Sequence, residues 1–262
     1  MEDVRLTAFK RLLDIMDELR VKCPWDRGQT FDSLRTMTIE ETYELSDAIM
    51  GKDMNEIRKE LGDILLHIVF YAKLGDEAGA FDITAIINSL CDKLVYRHPH
   101  VFAEIEVQNA DEVVQNWEQL KVKEKDGNKT ILSGVPDSLS ALIKASRIQE
   151  KAAAVGFDWE KREQVWDKFK EECNELSTEI DKMDKERMEN EFGDVFFSLV
   201  NASRLYGIDP ETALEWTNRK FIYRFTYLEQ KTIRQGRSLK DMSLAEMDEI
   251  WNEAKQTERN AK

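Results

Sequence analysis

Apolar residues recur at three- and four-residue intervals along nearly all of this 262-residue chain. That is the period of an α-helix with one buried face. The opening segment MEDVRLTAFKRLLDIMDEL reads as an amphipathic, charged helix rather than a signal peptide. Helices are expected over about Thr30–Met50 and Met54–Leu74, joined at Gly51-Lys52-Asp53, and then over about Ile83–Tyr96 and Ala110–Lys123. The stretch VKEKDGNKTILSGVPDS, about residues 122–138, breaks the pattern with two glycines and a proline. Beyond it a helical segment starts near Leu139. Further helices are expected over about Glu160–Ile180, Lys185–Tyr206, Pro210–Gln235 and Ser243–Lys255. Pro210 suits a first helical position capped by Asp209. The expected class is all-α, with an N-terminal domain over 1–121, a linker over 122–138 and a C-terminal domain over 139–262.

The two halves repeat each other. Glu41, Glu44, Glu60 and Asp63 recur 131 residues later as Glu172, Glu175, Glu191 and Asp194. Each set reads E-x-x-E, fifteen residues, E-x-x-D. The same shift aligns Glu40 with Glu171, Leu45 with Leu176, Gly62 with Gly193 and Val69 with Val200. Register fails downstream, so the ends of the halves have diverged.

Residues three apart share one helix face. Glu41 and Glu44 therefore point together, as do Glu60 and Asp63, and a turn at residues 51–53 brings the pairs face to face. Carboxylates gathered this way repel one another and are costly to bury without a cation. Mg²⁺ fits them, because it is a hard ion that prefers carboxylate and phosphate oxygens; Mn²⁺ can substitute. Gly62 and Gly193 cost about 1 kcal/mol each relative to alanine inside a helix. They are expected to serve close helix approach or to leave room for a ligand. Surface E-x-x-E pairs are common in a chain with 34% charged residues, but the doubled pattern with its glycine is harder to assign to a solvated face.

Bulk composition narrows the partners. A formal charge of −14 argues against binding duplex nucleic acid, which needs a basic face. It leaves room for a small phosphate ligand met locally by metal and a few cations. Three scattered cysteines, Cys23, Cys91 and Cys173, read as thiols of a reducing compartment. No apolar run approaches the ~20 residues that span a bilayer. A cytoplasmic protein without membrane contact is expected. His67, His98 and His100 have no partner acids at metal-ligand spacing repeated in the second half, and His67 reads as a core histidine. No Ser or Cys nucleophile stands out, and no G-x-x-x-x-G-K-[ST] loop is present.

The E-x-x-E, fifteen-residue, E-x-x-D pattern resembles the all-α nucleoside triphosphate pyrophosphohydrolases, and its doubling resembles the MazG branch in particular. CPWDRGQTFDSL (23–34), YRHPHVF (96–102), SRIQEKAAAVGFDW (146–159), NRKFIYRF (218–225) and MDEIW (247–251) are similar to segments of that branch. The resemblance covers nearly the whole chain. It implies two tandem MazG-like domains of four-helix-bundle type, completed by homodimerisation. It implies hydrolysis of nucleoside triphosphates to monophosphate and pyrophosphate with Mg²⁺ held by the acidic quartets. It also places Lys168, Glu171, Glu172, Arg187, Glu191, Lys220, Arg224 and Trp251 at the nucleotide, with the tryptophan against the base.

Cations distinguish the halves. Lys168 precedes Glu172 by four residues and Arg187 precedes Glu191 by four, so both can lean over the acidic face. The positions 131 residues earlier are Met37 and Glu56, with Arg35 and Arg58 nearby on other faces. A triphosphate needs such cations beside the metal. The second half is therefore expected to be the principal catalytic site, although the first keeps a similar-looking Lys93, Arg97 and Trp117. Without the family, Lys168 and Arg187 read equally as helix ion pairs and Trp251 as a core aromatic. The expected chemistry is metal-assisted attack of water on the α-phosphorus, with Glu172 or Glu175 assisting proton removal. Two other readings compete: a di-iron carboxylate bundle, which would want E-x-x-H, and a non-catalytic nucleotide-sensing or partner-binding helical dimer.

Overall fold

A computed structural model describes residues 3–103 and 129–260, and between them 109, 112, 113, 116, 117, 120 and 121. Among the described residues there is no strand. The chain divides into two compact units, Met1–Glu106 and Val107–Lys262. The division falls before the boundary at 121 expected from composition. The described residues of the expected Ala110–Lys123 helix are helical. Its other residues, and 122–128 of the expected linker, lie outside the described set. Residues 129–138 carry a reciprocal Thr130–Ser133 turn and a 3-10 turn, Leu132–Gly134.

In the first unit, α1 (Val4–Lys22) is capped by Asp3 and followed by the short α2 (Pro24–Gly28). The main hairpin is α3 (Phe31–Gly51) and α4 (Met54–Glu77). Thr30 and Ser33 form a capping box at the start of α3. Lys52 ends that helix in the left-handed region, and Asp53 caps α4. α5 (Ile83–Arg97) and α6 (Pro99–Phe102) follow. Each of the unpredicted short helices, α2 and α6, begins at a proline, where fixed φ suits a first turn. The helix α1 and the hairpin bury Met16, Leu34, Val69, Phe70 and Leu74.

The second unit repeats the hairpin. α7 (Ala141–Ala154) precedes α8 (Gln164–Lys182) and α9 (Lys185–Leu205). Met183 takes the left-handed conformation between them and Asp184 caps α9, the counterparts of Lys52 and Asp53. α10 (Pro210–Arg234), capped by Asp209, pairs with α11 (Leu244–Asn260) over Leu228, Met242 and Ile250. α7 packs on both α9 and α10. Its Gln149 donates to the Phe197 carbonyl at 2.8 Å. Each hairpin thus sets one acidic pair opposite the other.

Candidate metal and nucleotide site

Each unit draws three of its four predicted acids together. Ligand oxygens of Glu41, Glu60 and Asp63 lie within 4.8 Å of one another, as do those of Glu172, Glu175 and Glu191. Glu60 and Glu172 are buried. The fourth acid of each set, Glu44 or Asp194, is exposed and acts as a neighbouring negative charge. Burial first, and then the adjacent carboxylates, raise the pKa of Glu41 in one unit and Glu191 in the other.

A divalent cation fits these residues. Glu60 Oε2 and Glu191 Oε2, equivalent positions of the two halves, are each enclosed without a hydrogen-bond partner. An enclosed carboxylate oxygen among like charges is costly unless a cation meets it. The donors are all hard oxygens, the set Mg²⁺ prefers.

The cations are arranged differently from the sequence expectation. Lys168 does lean over the acidic face, at 2.8 Å from Glu172 and 2.9 Å from Glu171. Arg187 instead turns back to the cap residue Asp184, at 3.4 Å, and is exposed. The first unit is not without a cation: Lys59 reaches Glu60 at 2.8 Å and Glu56 at 3.6 Å. Helical i, i+4 spacing does not reveal Lys59, because it is Glu60's immediate neighbour and its long stem folds back. Its counterpart is Asn190. Each unit thus pairs one lysine with its buried glutamate, on α4 in the first and on α8 in the second.

Gly62 and Gly193 do not serve close helix packing, since a Cβ at either would meet nothing within 4 Å. The packing glycine is Gly75, where a Cβ would run into the Phe81 ring. His67 is a satisfied core histidine: it is buried and its Nδ1 lies 2.8 Å from the Thr38 hydroxyl.

Arg224 on α10 and Trp251 on α11 pack together, and Lys220 lies one turn before Arg224 on α10. The Arg224 guanidinium lies 5.9 Å from the centre of the Trp251 ring and donates to Glu258 at 2.8 Å. Phe221 packs on Trp251 at 5.1 Å between centroids. Lys220 lines a cavity of about 320 Å³ with Trp216, Arg219, Tyr223 and Glu258. Lys93 and Arg97 lie on α5 of the first unit, whereas Trp117 belongs to the second unit.

Helical hairpins carrying paired E-x-x-E and E-x-x-D acids define an all-α protein with a carboxylate cluster on each hairpin. The sequence profile of the MazG nucleotide pyrophosphohydrolase domain matches residues 29–102 and 160–227, and the chain belongs to that family. The two matched segments begin 131 residues apart, the offset of the acids. The chain is similar to the nucleoside triphosphate pyrophosphohydrolase of Escherichia coli (strain K12), 41% identical over 260 residues, covering 97% of this chain and 99% of that protein. It is 42% identical over 250 residues to the nucleoside triphosphate pyrophosphohydrolase/pyrophosphatase MazG of Thermotoga maritima, covering 94% and 95%. It is 45% identical over 257 residues to the uncharacterized protein YabN of Bacillus subtilis (strain 168), covering 97% of this chain and 53% of that one.

Proposed function

We propose that this protein is a Mg²⁺-dependent nucleoside triphosphate pyrophosphohydrolase, releasing nucleoside monophosphate and pyrophosphate, with the second unit as its principal catalytic site. The names of full-length relatives support the activity. The observation that carries the metal dependence is the pair of enclosed, unpartnered oxygens on Glu60 and Glu191 within matched acidic clusters.

Glu172, Glu175 and Glu191 would hold the cation in the second unit, with Asp194 as an exposed fourth acid beside them, and Glu41, Glu60 and Asp63 in the first, with Glu44 beside them. The bound ion supplies charge neutralisation at the phosphates and makes water more acidic. Lys168 meets phosphate oxygens beside the cluster, and Arg187, exposed on the first turn of α9, is free to swing from Asp184 toward them. Water attacks the α-phosphorus, the α–β bridging P–O bond breaks, and pyrophosphate leaves. One carboxylate of the shared α8 face, Glu172 or Glu175, takes the water's proton. Lys220, Arg224 and Trp251 receive the nucleoside, its base against the indole. Open space at Gly193 leaves the substrate room beside the acids.

The active form is a homodimer in this reading. Leu61, Leu65 and Ile68 form an exposed apolar stripe on α4, and Phe192, Phe196 and Leu199 repeat it on α9 at the same offset. A symmetric partner covers such stripes to complete a four-helix bundle. Unpaired cysteines fit a cytoplasmic setting. No helix among the described residues is long and apolar enough to cross a membrane.

Pyrophosphate release from each nucleoside triphosphate with Mg²⁺ tests the assignment. Glu172→Gln abolishes turnover, while Glu41→Gln leaves most of it. The reverse pattern contradicts the choice of unit. Mg²⁺-dependent nucleotide binding without any turnover supports the sensing alternative instead.

A further inference from the structure

The acidic stripe of the second unit does not end at the quartet. Glu179 follows Glu175 by one helical turn and Glu172 by two, so the three share a face of α8. Its side chain is 12% exposed, and one oxygen lies 2.8 Å from Lys182. The other, Oε2, is enclosed and has no hydrogen-bond partner. Glu191 Oε2, on the facing helix, is in the same condition. Glu191 feels the charge of Glu179 together with those of Glu175, Asp194 and Glu172. Two enclosed, unpartnered oxygens on mutually repelling carboxylates are a demand for positive charge that Lys182 meets on one side only. The counterpart of Glu179 in the first unit is the buried Ala48, which carries no charge.

We propose that Glu179 is a fifth acidic member of the second unit's divalent-cation site, and that it makes this site bind its cation more tightly than the first unit's. The inference rests on the metal-dependent reading above. Glu179 is not among the three acids whose ligand oxygens gather within 4.8 Å, so it acts at the edge of the cluster nearest the hairpin turn. A helix ion pair with Lys182 alone accounts for Oε1 but leaves Oε2 unexplained.

Calorimetric titration of Mn²⁺ into the full chain tests this, with Glu41→Gln and Glu60→Gln present together to silence the first unit. Adding Glu179→Gln weakens Mn²⁺ affinity by roughly 10–100-fold, the usual effect of losing an outer partner of a metal site. Adding Glu189→Gln, an exposed acid on α9, leaves it unchanged. Lys182→Met keeps the carboxylate, removes its competing cation and tightens binding. Unchanged affinity in Glu179→Gln, or weaker binding in Lys182→Met, overturns the proposal while leaving the metal-dependent reading intact. No Mn²⁺ binding by the background chain overturns both.

Discussion

Removing the Lys168 ammonium probes the charge balance of the second unit most sharply. Its Nζ lies 2.8 Å from Glu172, whose side chain is 9% exposed. Glu172 in turn has ligand oxygens of Glu175 and Glu191 within 4.8 Å. At an effective dielectric near 20, two like charges at that separation repel by about 3.5 kcal/mol, and the lysine attracts Glu172 by about 6 kcal/mol. Lys168 therefore offsets most of the repulsion that two neighbours exert on Glu172. Because the lysine is 39% exposed, solvent screens much of this. Lys168→Met is expected to cost roughly 1–2 kcal/mol in the presence of a chelator. For a unit of this size that lowers the melting transition by on the order of 3–6 °C. Saturating Mg²⁺ supplies the missing positive charge, so the deficit shrinks by more than half. Differential scanning calorimetry of wild type and variant, with EDTA and then with excess Mg²⁺, reads both values. An equal deficit in the two conditions, or none in EDTA, rules out this charge-balancing role for Lys168.

Two further outcomes follow from the packing. Gly75→Ala forces the Phe81 ring aside and destabilises the first unit by roughly 1–2 kcal/mol in urea titration. A Phe81→Ala change in the same chain makes the two effects less than additive. Arg204→Met breaks the fork to Asp158, with one arm at 2.9 Å, and costs roughly 1–3 kcal/mol at neutral pH. Burial alone would raise the Asp158 pKa, but the Arg204 fork, the Trp159 N–H and the arginine's charge outweigh it and hold it below 3.8. The stabilisation is thus present above 3.8 and lost as pH falls through the lower folded-state value. The gap between wild type and Arg204→Met accordingly narrows below pH 3.8.

Sequence periodicity carried the helices, because a 3.6-residue apolar period and its caps are local signals. The start of α4 at Met54 and of α10 at Pro210 follow from Asp53 and Asp209. The acidic pairs were legible for the same reason, since E-x-x-E fixes a shared face before any tertiary contact forms. What sequence spacing did not carry are choices made by flexible or solvent-facing groups. Lys59 bends back onto Glu60, and Arg187 prefers the cap acid Asp184 to the quartet. The openness at Gly62 and Gly193, and the tight fit at Gly75, depend on tertiary neighbours that a helical pattern does not specify. Glu179 follows Glu175 at i+4, a spacing shared by many surface acids of this chain, and only its enclosed oxygen separates it from them.

The fate of solvent oxygen during turnover shows which phosphorus the water attacks. A nucleoside triphosphate is hydrolysed with Mg²⁺ in ¹⁸O-water, and ³¹P spectra locate the label among the products. Attack at the α-phosphorus predicts nucleoside monophosphate carrying ¹⁸O together with unlabelled pyrophosphate. Label in the pyrophosphate, or formation of nucleoside diphosphate and orthophosphate, contradicts the account.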